Sequence, residues 1–398
     1  MGVSFVLGLG VFMQNFSFYA PTRIHFGQGQ VAQLAAEIPA ASRVLLVYGG
    51  GSIKQNGVYQ QVMAALSQHE VCEFAGIEAN PEYETLLLAV AQAKTAKVDW
   101  VLAVGGGSVI DGAKFIAAAA LLDEKIDPWL IVGNRTPIKR ALPIAVVLTL
   151  PATGAESNFA SVISRRATQD KMSFKNAMVF PRCAVLDPLL TQSLPARQIS
   201  NGVVDAFIHT TEQYLTYPAE ARLQDRLAEG ILSTLIEVGP TTLASPNDID
   251  ARANYMWCAN QALFGLVGAG QPQDWVSHAI GHELTTLYNL DHAQTLAVVL
   301  PSLLRYCFDD KLLKLAQYGR RVWGLSGSDS EVAHAAIDAT VDFFERMGLP
   351  TYLAAYGLNA DEVALAVGDL LPKHKAFPLG ERGKLTLADC MAIVRMAG

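Results

Sequence analysis

The chain has 398 residues, 51% hydrophobic and 17% charged, with 37 acidic against 30 basic side chains for a net charge of −7. Such a length exceeds one ordinary core and implies two domains; the composition excludes a disordered chain, and the charge offers no basic footprint for nucleic acid. Five cysteines, Cys72, Cys183, Cys258, Cys307 and Cys390, stand far apart with no CxxC pair. That spacing fits a reducing cytoplasm and supplies neither a disulfide framework nor a thiolate metal site.

The opening "MGVSFVLGLGVFMQ" lacks a cationic leader region and is far short of a membrane span, so residues 1–15 read as an N-terminal extension. No later stretch reaches membrane-spanning length without charges or helix breakers. From Arg43 the pattern alternates. "RVLLVYGGGS" is an apolar strand running into glycines, followed by the helix "VYQQVMAALSQH". "VCEFAGIEANP" is a second strand and "YETLLLAVAQAKTAK" a second helix; "VDWVLAVGGGSVIDGAKFIAAAALL" repeats strand, glycine turn and helix. "LPIAVVLTLPATGAESN" is a further apolar strand ending in a polar loop. Continuous apolar strands separated by helices predict a mostly parallel α/β sheet buried on both faces. Beyond about Gln198 the segments are helical with Gly or Pro between them. The expected division is a dinucleotide-binding α/β domain over residues 16–192 and an all-α, metal-binding domain over 193–398.

Two glycine turns follow apolar strands. In Gly105–Ser108, consecutive glycines let a ligand approach the backbone, and the helix starting near Ser108 would turn its free N–H groups toward an anion. The turn is not a GxGxxG fingerprint, and a tight strand–helix connection is the plain alternative. Gly49–Ser52 contains no carboxylate for a ribose hydroxyl and has Lys54 beside it, which points to a 2′-phosphate and hence NADP. Thr149, Thr153 and Asn158, at the carboxyl end of a buried strand, suit either a nicotinamide carboxamide or ribose, or local capping.

Three of the eight histidines fall between Asp274 and Pro301. His278 and His282 lie four apart on one helix face, as do Asp205 and His209, and His292 follows. One carboxylate and several imidazoles suit Zn²⁺ or Fe²⁺, not the oxygen-seeking Ca²⁺ or Mg²⁺. The arrangement is not a zincin motif. Trp257, Phe264, Leu266 and Trp275 would line an apolar pocket near the histidines, or form helix core.

On "PTRIHFG", "YGGGS", "GIEANP", "LAVGGGSVIDGAKFIA", "LTLPATGAESN", "NGVVDAFIHTTEQY", "GAGQPQDWVSHAIGHEL" and "LDHAQTLAVVLP", the sequence from about Phe16 onward resembles the iron-containing (group III) alcohol dehydrogenases, in particular their NADPH-dependent aldehyde reductase/butanol dehydrogenase branch. The resemblance implies a dehydroquinate synthase-like architecture. It implies that Asp205, His209, His278 and His292 bind one divalent ion, Zn²⁺ or Fe²⁺, and that His282 is a proton-relay group near substrate. It places Gly106, Gly107, Ser108 and Asp111 at the pyrophosphate, Thr149, Thr153, Asn158 and Lys171 at the nicotinamide or its ribose, and Gly49, Gly50, Gly51 and Ser52 at the adenosine end. The implied activity is reduction of short aldehydes with NADPH, and the reverse alcohol oxidation, by a cytoplasmic homodimer. A dehydroquinate synthase-type lyase shares the architecture, but would need a basic pocket that residues 255–301 do not supply.

Overall fold

A computed structural model describes residues 12–398. The elements run β1 (Arg23–Phe26), α1 (Leu34–Glu37), β2 (Arg43–Tyr48), α2 (Val58–Ala65), β3 (Glu70–Phe74), α3 (Tyr83–Thr95), β4 (Trp100–Gly106), α4 (Gly107–Ala119), β5 (Ile144–Leu150), β6 (Ala160–Arg165), β7 (Asp170–Lys175) and β8 (Cys183–Leu186). Helices follow: α5 (Ala196–Tyr214), α6 (Arg222–Ala244), α7 (Ile249–Ala262), α8 (Val276–Tyr288), α9 (His292–Tyr306), α10 (Phe308–Arg321), α11 (Asp329–Arg346), α12 (Ala360–His374) and α13 (Leu387–Arg395).

Six strands form one sheet in the order β1-β8-β5-β4-β2-β3, every neighbouring pair parallel. The apolar runs explain why. Val44 to Val47, Val101 to Val104 and Ile144 to Val147 are fully buried, alternate residues meeting opposite helical layers. One layer packs Val109, Ile110 and Leu86 of α4 and α3; the other packs Leu34, Val58 and Val62 of α1 and α2. The chain leaves β2 outward to β3, then returns to β4 on the other side of β2. That reversal opens a crevice at the carboxyl ends of β2 and β4, where both glycine turns lie.

β1, β8 and the antiparallel β6–β7 hairpin add to the strands expected from sequence. In the hairpin, Ser164 pairs with Lys171 and Arg165 with Asp170. Residues 1–11 of the expected N-terminal extension lie outside the described residues; within the rest of it, the Gln14 N–H donates to the Gly270 carbonyl at 2.7 Å.

In the helical half, α5 is buried from Val203 to Tyr214, surrounded by α6, α7 and α9. A second cluster joins α8 and α9 to α12 and α13 through Val276, Ile280, Val298, Val367 and Ile393. The loop after β5 is tied to α7: Tyr255 donates to the Pro151 carbonyl, and Asn260 Nδ2 donates to Glu156 Oε1 at 2.7 Å and Ser157 Oγ at 2.9 Å. The carboxyl end of β5 therefore faces the helical half across a cleft with polar walls.

Candidate active site and metal centre

Asp205 and His209 sit mid-helix in α5, not in an exposed first turn, and both are about 96% buried. Glu212 continues their row at the i+7 position. The row meets the N-terminus of α8. There, Glu212 Oε1 accepts the backbone N–H groups of Ser277 at 2.8 Å and His278 at 3.3 Å, and Oε2 faces His278 Nδ1 in a short contact. Glu212 thus caps α8, complements its positive dipole end and fixes the tautomer of His278, with Nδ1 protonated and Nε2 free. His292 opens α9. It is placed by Asp291, which forms a capping box with Gln294 and accepts from Arg197 and Asn201 of α5, each at 2.6 Å.

Helices α5, α8 and α9 converge so that one ligand atom from each of Asp205, His209, His278 and His292 lies within 4.8 Å of all the others. The His209 and His278 rings stack at 4.7 Å, and His278 and His292 meet edge-on at 5.1 Å. Asp205 Oδ1, His209 Nδ1, His278 Nε2 and His292 Nδ1 are buried without a hydrogen-bond partner. Asp205 Oδ1, His209 Nδ1 and His278 Nε2 are orphaned around one space into which His292 turns Nε2, 3.9 Å from Asp205 Oδ1, and such a group would be costly to leave as it is. Burial pushes the Asp205 carboxyl up to about 7, and pushes His209 and His292 well below their usual value. An ion in their midst would reverse the Asp205 shift and use the neutral imidazoles as they stand. The donor set, one carboxylate and three imidazoles, fits a single Zn²⁺ or Fe²⁺.

His282, one turn along α8, brings its ring to 5.3 Å from His292 and 6.2 Å from His278. Burial holds it well below its usual value, so it is neutral at pH 7. Of the four residues expected to line a substrate pocket, Trp275 meets the histidines, at 5.1 Å from the His278 ring, and Leu266 is 36% exposed. Trp257 is 42% exposed and packs edge-on against Phe26, and Phe264 packs against Phe18. Trp257 is thus a surface aromatic and Phe264 a half-buried one, and neither is placed against the histidines by an aromatic contact.

On the α/β side, the turn Gly106–Gly107 is pressed against the β5 loop. A Cβ on Gly107 would lie 2.5 Å from Thr153 Oγ1, so a glycine is required there for the two loops to meet. The helix α4 begins at Gly107 with no side chain capping it, which leaves its first N–H groups free for an anion. Several expected contacts prove to be committed elsewhere. Ser108 donates its hydroxyl to the Ala79 carbonyl. Asn158 Oδ1 accepts from the buried Lys114 at 3.0 Å and from the Ala160 N–H at 3.0 Å. Asp111 Oδ2 accepts the Val162 N–H at 2.9 Å, and burial pushes its carboxyl up to about 6. These three shape the cradle around the free groups. Lys171 Nζ donates to Asn80 Oδ1 at 2.9 Å; burial lowers its pKa to about 8 against the opposing pull of Asp205, Asp111 and Glu283. It therefore stands between the cradle and the metal cluster.

At the other turn, Gly51 adopts φ 91°, and Ser52 follows it. Lys54, expected to be free for a phosphate, is 2.8 Å from Glu73 Oε2, and Tyr48 and Tyr59 also donate to that carboxylate at 2.8 and 2.5 Å. A carboxylate therefore does reach this end, brought by β3 alongside β2.

The sequence profile of iron-containing alcohol dehydrogenases matches residues 21–188, and that of the family's C-terminal region matches residues 199–397. The chain belongs to the iron-containing alcohol dehydrogenase family. It is 55% identical over 378 residues to the NADPH-dependent aldehyde reductase YqhD of Escherichia coli K12, covering 94% of this chain and 97% of that one. It is 38% identical to NADH-dependent butanol dehydrogenase A of Clostridium acetobutylicum, covering 89% of this chain and 92% of the relative. The crystal structure of E. coli YqhD superposes with a TM-score of 0.95 at 53% identity, over 97% of this chain and 100% of that one. The fold of this oxidoreductase family is thus the one described above.

Proposed function

We propose that this protein reduces short aliphatic aldehydes, such as butanal, to alcohols with NADPH, and catalyses the reverse oxidation. The observation that carries this is the convergence of one donor atom each from Asp205, His209, His278 and His292, most of them buried without a partner, opposite a glycine cradle at the crevice of a parallel sheet. Kinship with an NADPH-dependent aldehyde reductase supports the choice of substrate and coenzyme. Asp205, His209, His278 and His292 would hold one divalent ion, Fe²⁺ or Zn²⁺, which supplies Lewis-acid polarisation of a carbonyl, while NADPH supplies the hydride. The net reaction is aldehyde, NADPH and a proton giving alcohol and NADP⁺.

The chain's own groups have separable tasks. Gly106, Gly107 and the α4 N-terminus receive the pyrophosphate, with Ser108 and Asp111 holding that turn in shape. Thr149, Thr153 and Lys171 face the nicotinamide and its ribose, over a loop braced by Asn158. Gly49, Gly50, Gly51 and Ser52 take the adenosine end. His282, neutral and half-buried, donates a proton from its ring N–H to the product oxygen. Trp275 covers the histidines and limits water.

The decisive experiment is NADPH oxidation with butanal on protein as purified, after chelation, and after return of Zn²⁺ or Fe²⁺. Activity is expected to vanish on chelation and return with one of the ions. Turnover indifferent to chelation would remove the ion from this reading. The protein is also taken to be a homodimer. Phe12, Met13, Phe16, Phe18 and Tyr19 leave an extended apolar edge exposed, and a second copy would cover it. Light scattering should give about twice the 42.8 kDa chain mass; a monomer at assay concentration would count against it. Among the described residues no helix is long and apolar enough to cross a membrane. The five free cysteines support a cytoplasmic setting.

A further inference from the structure

His374 has no part in the chemistry so far, yet it joins both sides of the cleft. It ends α12, and its side chain is only 4% exposed. Nδ1 lies 2.9 and 3.0 Å from the two oxygens of Glu283, and Nε2 lies 3.0 Å from Asp170 Oδ1. Glu283 immediately follows His282 in α8, and Asp170 immediately precedes Lys171 in β7. One ring therefore bridges the helix that carries two of the site histidines and the hairpin that carries the lysine.

We infer that His374 is a positioning residue, a latch that pins the β6–β7 hairpin to α8 and so sets Lys171 against the cofactor side of the cleft. The inference rests on the cofactor reading above. A neutral imidazole has one N–H and can satisfy one carboxylate only; the imidazolium satisfies both. Its place at the C-terminus of α12 also favours the cation. The other charged groups nearby are Lys171 of β7 and Lys375 just beyond α12, both felt by Glu283, with Lys175 of β7 facing Lys375. The hydrogen bond to Glu283, against the opposing effect of burial and with a further contribution from Asp170, raises the ring's pKa above its usual value. A raised folded-state pKa means the latch is fully formed below the unfolded value of about 6.5. It is lost as pH rises through the raised folded value.

The test compares wild type with His374→Gln, Asp170→Asn and the double variant. It reads hydrogen exchange over residues 160–175, the NADPH dissociation constant by fluorescence, and bound metal. Each single variant is expected to raise hairpin exchange and the NADPH constant about tenfold at neutral pH, the loss of one charge-assisted bond. The double variant should be no worse than either alone, and metal content should not change. Wild-type hairpin exchange, corrected for the intrinsic base-catalysed rate, should rise at alkaline pH, and His374→Gln should lack that limb. NADPH binding is not the readout for it, because Lys171 titrates at about 8, in the same range. Unchanged exchange, additive effects, or a pH limb that survives in His374→Gln would overturn the latch. If His374→Gln does not fold, Asp170→Asn, which keeps the Glu283 bond, decides by the same readings. Wild type that binds no NADPH would overturn the cofactor reading, while the exchange comparison would still decide the latch.

Discussion

Replacing Asp205 with alanine is expected to lower kcat/KM for butanal by about three orders of magnitude and bring bound metal to background. Asp205 is the one anion among the four donors. Without it, three imidazoles packed ring against ring have no charge to offset a dication's desolvation. The same substitution should not weaken the metal-free fold. Asp205 Oδ1 is buried with no partner, and removing it relieves an unsatisfied polar group. The metal-free variant should melt at or above the temperature of metal-free wild type. Loss of activity with metal retained at wild-type level would show that the carboxylate acts in another way.

A second large effect is expected from Glu212→Gln, which should loosen the ion by about tenfold to a hundredfold in competition with a chelator. The amide oxygen can still accept from Ser277 and His278 N–H, so the cap on α8 survives. What it loses is the anionic acceptor for His278 Nδ1. The ring is then free to move its proton to Nε2, the atom facing the cluster. Thermal stability near wild type with reduced metal affinity is the expected signature. Unchanged affinity would mean that Glu212 serves only as a cap.

The parallel sheet was legible because β2, β4 and β5 are unbroken apolar runs, a pattern that needs cover on both faces. The helical half was legible because its apolar residues recur at helical spacing. β1 and β8 were not, since RIHF and CAVL are four residues each; CAVL gains its burial between β1 and β5, and RIHF stays partly exposed at the sheet edge. The β6–β7 hairpin was hidden by its polar alternation, which placed Lys171 on no element at all. Asp205, His209, His278 and His292 were visible through helical spacing and family motifs, and the structure brings them together. Glu212 stood in the same quoted stretch, seven residues from Asp205, and that spacing was the signal available. Glu283 and His374 gave none, because a charged residue on a helix defaults to solvent until the packing of α8 on α12 is known. The pairing of Lys54 with Glu73 was unreadable for the same reason: it depends on β3 lying beside β2.

All four donors come from α5, α8 and α9, and none from the sheet. On the proposed reading, the ion and the nucleotide share no protein ligand. If Gly50, Ser52 and Glu73 border the coenzyme as proposed, a lineage or an engineer could exchange one coenzyme for another there while leaving the four donors untouched. The two specificities can then drift independently, which is a property of which helices carry the donors and not of any single residue.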